Sequence, residues 1–282
     1  MRLIRFKENG KTSLGALSER GVIDLSANGI NSNIRSVIAD WEIFRPQIEE
    51  LLADRRLPVR SLSELTPAPV TNPSKILCVG LNYISHAEET GGESPKEPAI
   101  FCKMPQCAAG HLEAVPLPPA CSKIDYEAEL VIIIGSYAYN IGEQEAKKHI
   151  FGYTCGNDLS ARDAQFRSNQ WIIGKSLPKF APSGPVIVTA DELDASDLEI
   201  TCTVNGELRQ AARTSDMTFK PAEIVAYISQ FMELFPGDQI YTGTPSGVII
   251  GMPKGSRPWL KEGDEITVSI EGIGSLTNRL KA

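Results

Sequence analysis

The stretch Asp125-Tyr126-Glu127-Ala128-Glu129-Leu130-Val131-Ile132-Ile133-Ile134-Gly135 carries two glutamates into an uninterrupted aliphatic run. A short run rich in Ile and Val predicts a buried β-strand over 128–135. Side chains at i and i+2 of a strand point to one face. Glu127 and Glu129 therefore enter a partly buried space side by side. Two like charges in a low dielectric repel, and each is costly to desolvate. A hard divalent cation would hold them. A pair of glutamates on the exposed face of an edge strand fits the same pattern.

Outward from this strand the chain is β-rich. Strands are predicted over 76–80, 99–103, 185–189, 198–204, 207–211, 238–242, 265–271 and 275–280, and Ile150 to Cys155 reads as a further buried strand. Val204-Asn205-Gly206-Glu207 predicts a hairpin, because Asn-Gly tolerates the positive φ angles of a type I′ turn. Pro221 to Leu234 has the period of a helix, with proline in its first turn. Residues 1–70 read as a small N-terminal α+β domain and linker, with strands at Leu3–Phe6 and Gly21–Leu25 and helices over 34–39 and 43–53. Pro58, Pro67, Pro69 and Pro73 disfavour helix and mark an extended segment. Residues 71–282 form the second, β-rich domain. Helices scattered among non-local strands predict a mostly β, α+β fold and not a doubly wound parallel sheet.

The 282 residues are 42% hydrophobic and 22% charged, a composition suited to a soluble globular protein. The net charge of −7 argues against a nucleic-acid partner. No apolar run matches a signal peptide or a membrane span, so the expectation is a cytoplasmic protein with no membrane partner. Cys78, Cys102, Cys107, Cys121, Cys155 and Cys202 form no Cys-x-x-Cys pair, which excludes a zinc knuckle and predicts buried, reduced thiols.

Four other places carry chemistry. Asp158 ends the strand after residue 150, where it supplies a third oxygen ligand beside the two glutamates. In the segment that follows, Ser160 is placed to cap a helix, and Arg162 and Gln165, spaced i,i+3, share one face that suits a carboxylate or keto oxygen. His86 and Glu89 are also i,i+3. A glutamate beside an imidazole fixes its tautomer and raises its basicity, as a general base requires. In isolation, a surface histidine on a solvated helix is the simpler reading. Lys175 lies between apolar flanks, which favours a buried partner. Thr242-Gly243-Thr244-Pro245-Ser246-Gly247-Val248 is either a close backbone approach to a ligand or a plain turn.

Taken in order, these segments resemble the fumarylacetoacetate hydrolase family. The matches are Gly80-Leu81-Asn82-Tyr83 with His86, Asp125 to Leu130, Gly152-Tyr153-Thr154, Asn157 to Asp163 with Gln165, Gly174-Lys175-Ser176, Val204 to Glu207 with Gln210, Pro236-Gly237-Asp238, and Thr242 to Val248. The resemblance implies a mixed β-sandwich roll, a homodimer, and Mg²⁺ or Mn²⁺ in the pocket, with Ca²⁺ as a third option. It implies Glu127, Glu129 and Asp158 as metal ligands, His86, Glu89 and Lys175 as catalytic residues, and Arg162, Gln165 and Thr244 around a 2-keto acid substrate. The implied reaction is hydrolysis of a C–C bond in a β-diketo acid of the acylpyruvate type. The same chemistry serves oxaloacetate decarboxylation or hydration and isomerisation of 2-keto-enoic acids, and a non-catalytic metabolite-binding protein is a third outcome. The chain departs from the family pattern at Met104-Pro105-Gln106, at Asn169 and at Leu177-Pro178-Lys179, positions that bear on the substrate and not on the metal ligands.

Overall fold

The aliphatic run forms the strand Ala128–Ile134, and every residue in it is buried. The computed structural model describes residues 1–8, 10–31, 33–92 and 95–282. Among these residues the strand lies within an 11-stranded mixed sheet whose main path runs Gly21–Asp24, Lys11–Ser18, Arg2–Glu8, Ala181–Thr189, Ile150–Asn157, Ala128–Ile134, Gln239–Tyr241, Ile76–Gly80 and Ala99–Lys103. A second sheet of five strands stacks Glu207–Arg213, Glu199–Val204, Glu265–Ile270, Gly274–Lys281 and Val115–Pro116. The fold is α+β and mostly β, as the sequence predicts.

Strand alternation explains why the run is apolar on both faces. Leu130, Ile132 and Ile134 pack into one core with Ile200, Cys202 and Val268 of the five-stranded sheet. Val131 and Ile133 face a second core, with Val37, Ile38 and Ile48 from the helices Ile34–Ala39 and Trp41–Ala53. Glu127 and Glu129 share the parity of Val131 and Ile133, so they continue the second face to where aliphatic packing stops.

Two expectations differ in detail, and one strand has no counterpart among them. The helix starting at Pro221 ends at Ser229, not Leu234. Leu234 is instead drawn into a backbone bridge with Ala138, which a continuing helix could not make. Ser160 does not cap the following helix. Its backbone pairs with Asp125 and its hydroxyl donates to the Asp158 carbonyl, so the cap position falls to Ala161, whose side chain offers no bond. The strand Lys11–Ser18 was not predicted. Its Thr-Ser-Leu-Gly-Ala-Leu core is a weak strand former, and pairing with Arg2–Glu8 holds it in place. Residues 1–70 join the large sheet directly, because Arg2–Glu8 pairs with Ala181–Thr189. No helix among the described residues is long and apolar enough to cross a membrane.

Candidate active site

Register builds the acidic cluster. Ala128 pairs with Asn157 and Glu129 with Gly156, which sets Glu127 across from Asp158. The Asp158 amide donates to the Glu127 carbonyl at 2.9 Å, and the Glu127 amide donates to Asn157 Oδ1 at 3.0 Å. One carboxylate oxygen from each of Glu127, Glu129 and Asp158 falls within 4.8 Å of the others, and all three residues are buried.

Cations from three other elements meet these carboxylates. Lys175 Nζ donates to Glu127 at 2.6 Å and to Asp158 at 2.7 Å. Arg162 donates to Glu127 at 2.6 Å and to Asp125 at 2.9 Å. Lys103 pairs with the other oxygen of Asp158 and also donates to the carbonyls of Leu159 and Phe180. Burial opposes the charged form of Glu127, but Lys175, Arg162 and His86 outweigh it and hold the carboxyl well below the usual carboxylate range. Burial likewise disfavours the Lys175 ammonium, yet Asp158 and Glu127 raise its pKa above the ordinary value, so it stays charged. Glu129 differs. It accepts a bond from the Gly243 amide at 2.6 Å and forms no ion pair among the described residues. Burial, with Asp158 and Glu127 alongside, pushes its carboxyl well above the usual range. A set of hard oxygen donors that includes one carboxylate without a cationic partner fits a hard divalent cation.

Two glycines let backbone reach this cluster. Gly243 has φ +99°, and a Cβ there would lie 2.7 Å from Asn82 Cβ. Without a side chain, its amide can approach Glu129. A Cβ on Gly174 would lie 2.4 Å from the Gln165 amide nitrogen, so only glycine lets the helix Ile172–Lys175 sit against Arg162–Gln165 and deliver Lys175.

The cluster opens into a cavity of about 380 Å³. Of the nine residues expected at the site, all but Asp158 line it; Asp158 lies fully buried behind. His86 stands on the helix Ile84–Glu89, its Nδ1 2.9 Å from Glu89 Oε1, while the Gly247 amide holds Glu89 Oε2 at 2.9 Å. The solvated-histidine reading fails, since His86 is 7% exposed. Arg162 also donates to Gln165 Oε1 at 2.9 Å, which leaves the Gln165 NH₂ as the group available to the cavity. The Thr244 hydroxyl accepts from Gln210 at 2.8 Å. Asn169 is exposed and outside the cavity wall.

Three further residues matter that the sequence reading did not assign. Lys103 reaches Asp158 from the end of Ala99–Lys103, and a lysine closing an otherwise apolar strand was the available signal. Asp125 extends the alternation of Glu127 and Glu129. Buried, it ties Arg162 to the amides of Ile249 at 2.8 Å and Ile250 at 3.0 Å. Arg257 also lines the cavity, from a stretch with no periodic signal.

A profile described as Fumarylacetoacetate (FAA) hydrolase C-terminal matches residues 75–281. The human protein named Oxaloacetate tautomerase FAHD2A, mitochondrial, is 43% identical over 229 residues, spanning 80% of this chain and 72% of its own. The structure of 5-carboxymethyl-2-hydroxymuconate delta-isomerase from Mycobacterium smegmatis superposes with a TM-score of 0.77 at 32% identity, covering 100% of this chain and 98% of its own. Maleylpyruvate hydrolase from Sphingobium sp. SYK-6, solved with manganese(II) ion and pyruvate, gives a TM-score of 0.82 at 29% identity, covering 100% and 99%. These relatives are a tautomerase, an isomerase and a hydrolase. The expectation of a cytoplasmic protein is overturned here: the human relative and one from Bos taurus are named mitochondrial.

Proposed function

This chain belongs to the fumarylacetoacetate hydrolase family, and from that premise we propose a metal-dependent enzyme that interconverts the keto and enol forms of a small 2-oxo acid, oxaloacetate first among those to test. One observation carries the reading. Glu127 and Glu129, clustered with the buried Asp158, face the same cavity as an oriented histidine–glutamate pair. A divalent cation held by Glu127, Glu129 and Asp158 would act as a Lewis acid toward the 2-oxo group.

The side chains divide the remaining work. Glu89 fixes the tautomer in which His86 Nδ1 carries the proton, leaving Nε2 as the base. Nε2 takes a proton from C3 of the substrate. The C–H electron pair becomes the C2–C3 double bond, and the carbonyl electrons move to oxygen. The proton on Nε2 passes to solvent and a proton from solvent reaches that oxygen, which gives the enol and restores the neutral base; the reverse path returns the ketone. Lys175, kept protonated between Glu127 and Asp158, opposes the growing negative charge. The Gln165 NH₂, oriented by Arg162, donates to a substrate oxygen.

A second reading is C–C hydrolysis of an acylpyruvate, with His86 activating water. It draws on the likeness to maleylpyruvate hydrolase. The test follows enol oxaloacetate by ultraviolet absorbance in one assay and pyruvate release from acylpyruvates in another, both with magnesium. The tautomerase reading expects fast ketonisation that drops about 100-fold or more in His86→Asn. Pyruvate release without any acceleration of ketonisation would reject it in favour of hydrolysis.

A further inference from the structure

One arginine at the cavity wall, Arg257, has no carboxylate partner among the described residues. Around the acidic cluster, Asp125, Glu127 and Asp158 meet Lys103, Arg162 and Lys175 in direct pairs. Those three cations are committed to the protein's own carboxylates. Arg257 lines the same cavity and forms no ion pair among the described residues. Its Nε donates to the Met252 carbonyl at 2.8 Å, and its guanidinium lies 5.9 Å from the centroid of the Trp259 ring. Those contacts anchor the base and one face of the group, and among the described residues the two terminal nitrogens donate to no protein group. The preceding turn is fixed as well, because Asp125 binds the amides of Ile249 and Ile250 while holding Arg162. Arg257 is itself partly buried, held at its base by Met252 and flanked by Trp259.

A guanidinium with a free two-nitrogen edge matches a carboxylate in bidentate geometry. The first carboxylate of a 2-oxo acid lies beside its keto oxygen and would be met by a divalent cation held by the triad, with Gln165 alongside. A second carboxylate entering a largely apolar cavity needs a cation of its own to offset desolvation. We infer that Arg257 binds the distal carboxylate, and that the enzyme selects 2-oxo diacids over 2-oxo monoacids. This inference rests on the enolisation reading above and adds the substrate class to it.

The test measures deuterium exchange at C3 by proton NMR in the magnesium-loaded enzyme. The substrates are oxaloacetate, 2-oxoglutarate and the monoacid 2-oxobutyrate, compared in the natural protein, Arg257→Gln and Arg257→Lys. In Arg257→Gln the ratio of kcat/KM for diacid over monoacid is expected to fall by about ten-fold or more, through KM, as befits a lost charge-assisted hydrogen bond. Arg257→Lys should recover part of that ratio by keeping the charge. Exchange of the monoacid reports in the same tube that each variant is folded. An unchanged ratio in Arg257→Gln for both diacids overturns the inference and leaves enolisation standing. Absence of exchange with every 2-oxo acid in the natural protein instead removes the enolisation reading and this inference with it.

Discussion

At the scale of single residues, the site is a set of buried charges that must stay matched. Lys175 bridges Glu127 and Asp158, and it is 2% exposed. Lys175→Met would leave two buried carboxylates short of a partner, a change that typically costs roughly 3–5 kcal/mol. Urea unfolding of the metal-free protein should show a loss of that order; a loss under ~1 kcal/mol would mean water or relaxation already screens the pair. The thiols respond to pH with the opposite chemistry. Burial pushes Cys155 up from 9.0 to about 12 and the Tyr153 hydroxyl from 10.0 to about 12. Between those values the unfolded chain loses protons that the folded chain keeps, so stability falls as pH rises from about 9 towards 12. The melting temperature is expected to drop across that alkaline range, and to drop less steeply in Cys155→Ala. Equal slopes in both proteins would show that Cys155 is not a source of the effect.

At the scale of elements, short helices deliver the chemistry and close packing aims them. Gly174→Ala would force Ile172–Lys175 off Arg162–Gln165, since the new methyl has no room beside the Gln165 amide. Turnover is expected to fall at least about ten-fold, because small displacements of positioned groups cost large factors in rate, while circular dichroism stays near that of the natural protein. Full activity in Gly174→Ala would show that the position of Lys175 tolerates the shift. The same elements show what a linear sequence can reveal. Glu127 and Glu129 were legible because the strand period is 2, and His86 with Glu89 because the helical period joins i to i+3. The cations were harder. Lys103 and Asp158 are 55 residues apart and meet only through sheet pairing that no local pattern encodes. Arg257 is harder still, since it comes from an irregular stretch in which its Nε is held by the Met252 carbonyl.

At the scale of the whole molecule, the strand Ala128–Ile134 is sandwiched between two cores, and the N-terminal residues help to build one of them. Leu3, Leu14, Ile38 and Ile48 pack on the face that carries Val131 and Ile133. Arg2–Glu8 covers the Ala181–Thr189 strand. A fragment of residues 71–282 would expose that strand edge and half of the second core, both aggregation hazards. It is expected to be insoluble or to lack a cooperative melting transition; a monomeric, cooperatively melting fragment would show that residues 71–282 fold alone. The whole arrangement converges on a claim that Glu127, Glu129 and Asp158 share one divalent ion. The most direct measurement is a titration of metal-stripped protein with Mn²⁺, read by electron paramagnetic resonance of the free ion. One site per chain is expected in the natural protein, with that site lost in Glu129→Gln and the melting temperature of the apo form preserved. No binding by the natural protein, or equal binding by Glu129→Gln, would contradict it.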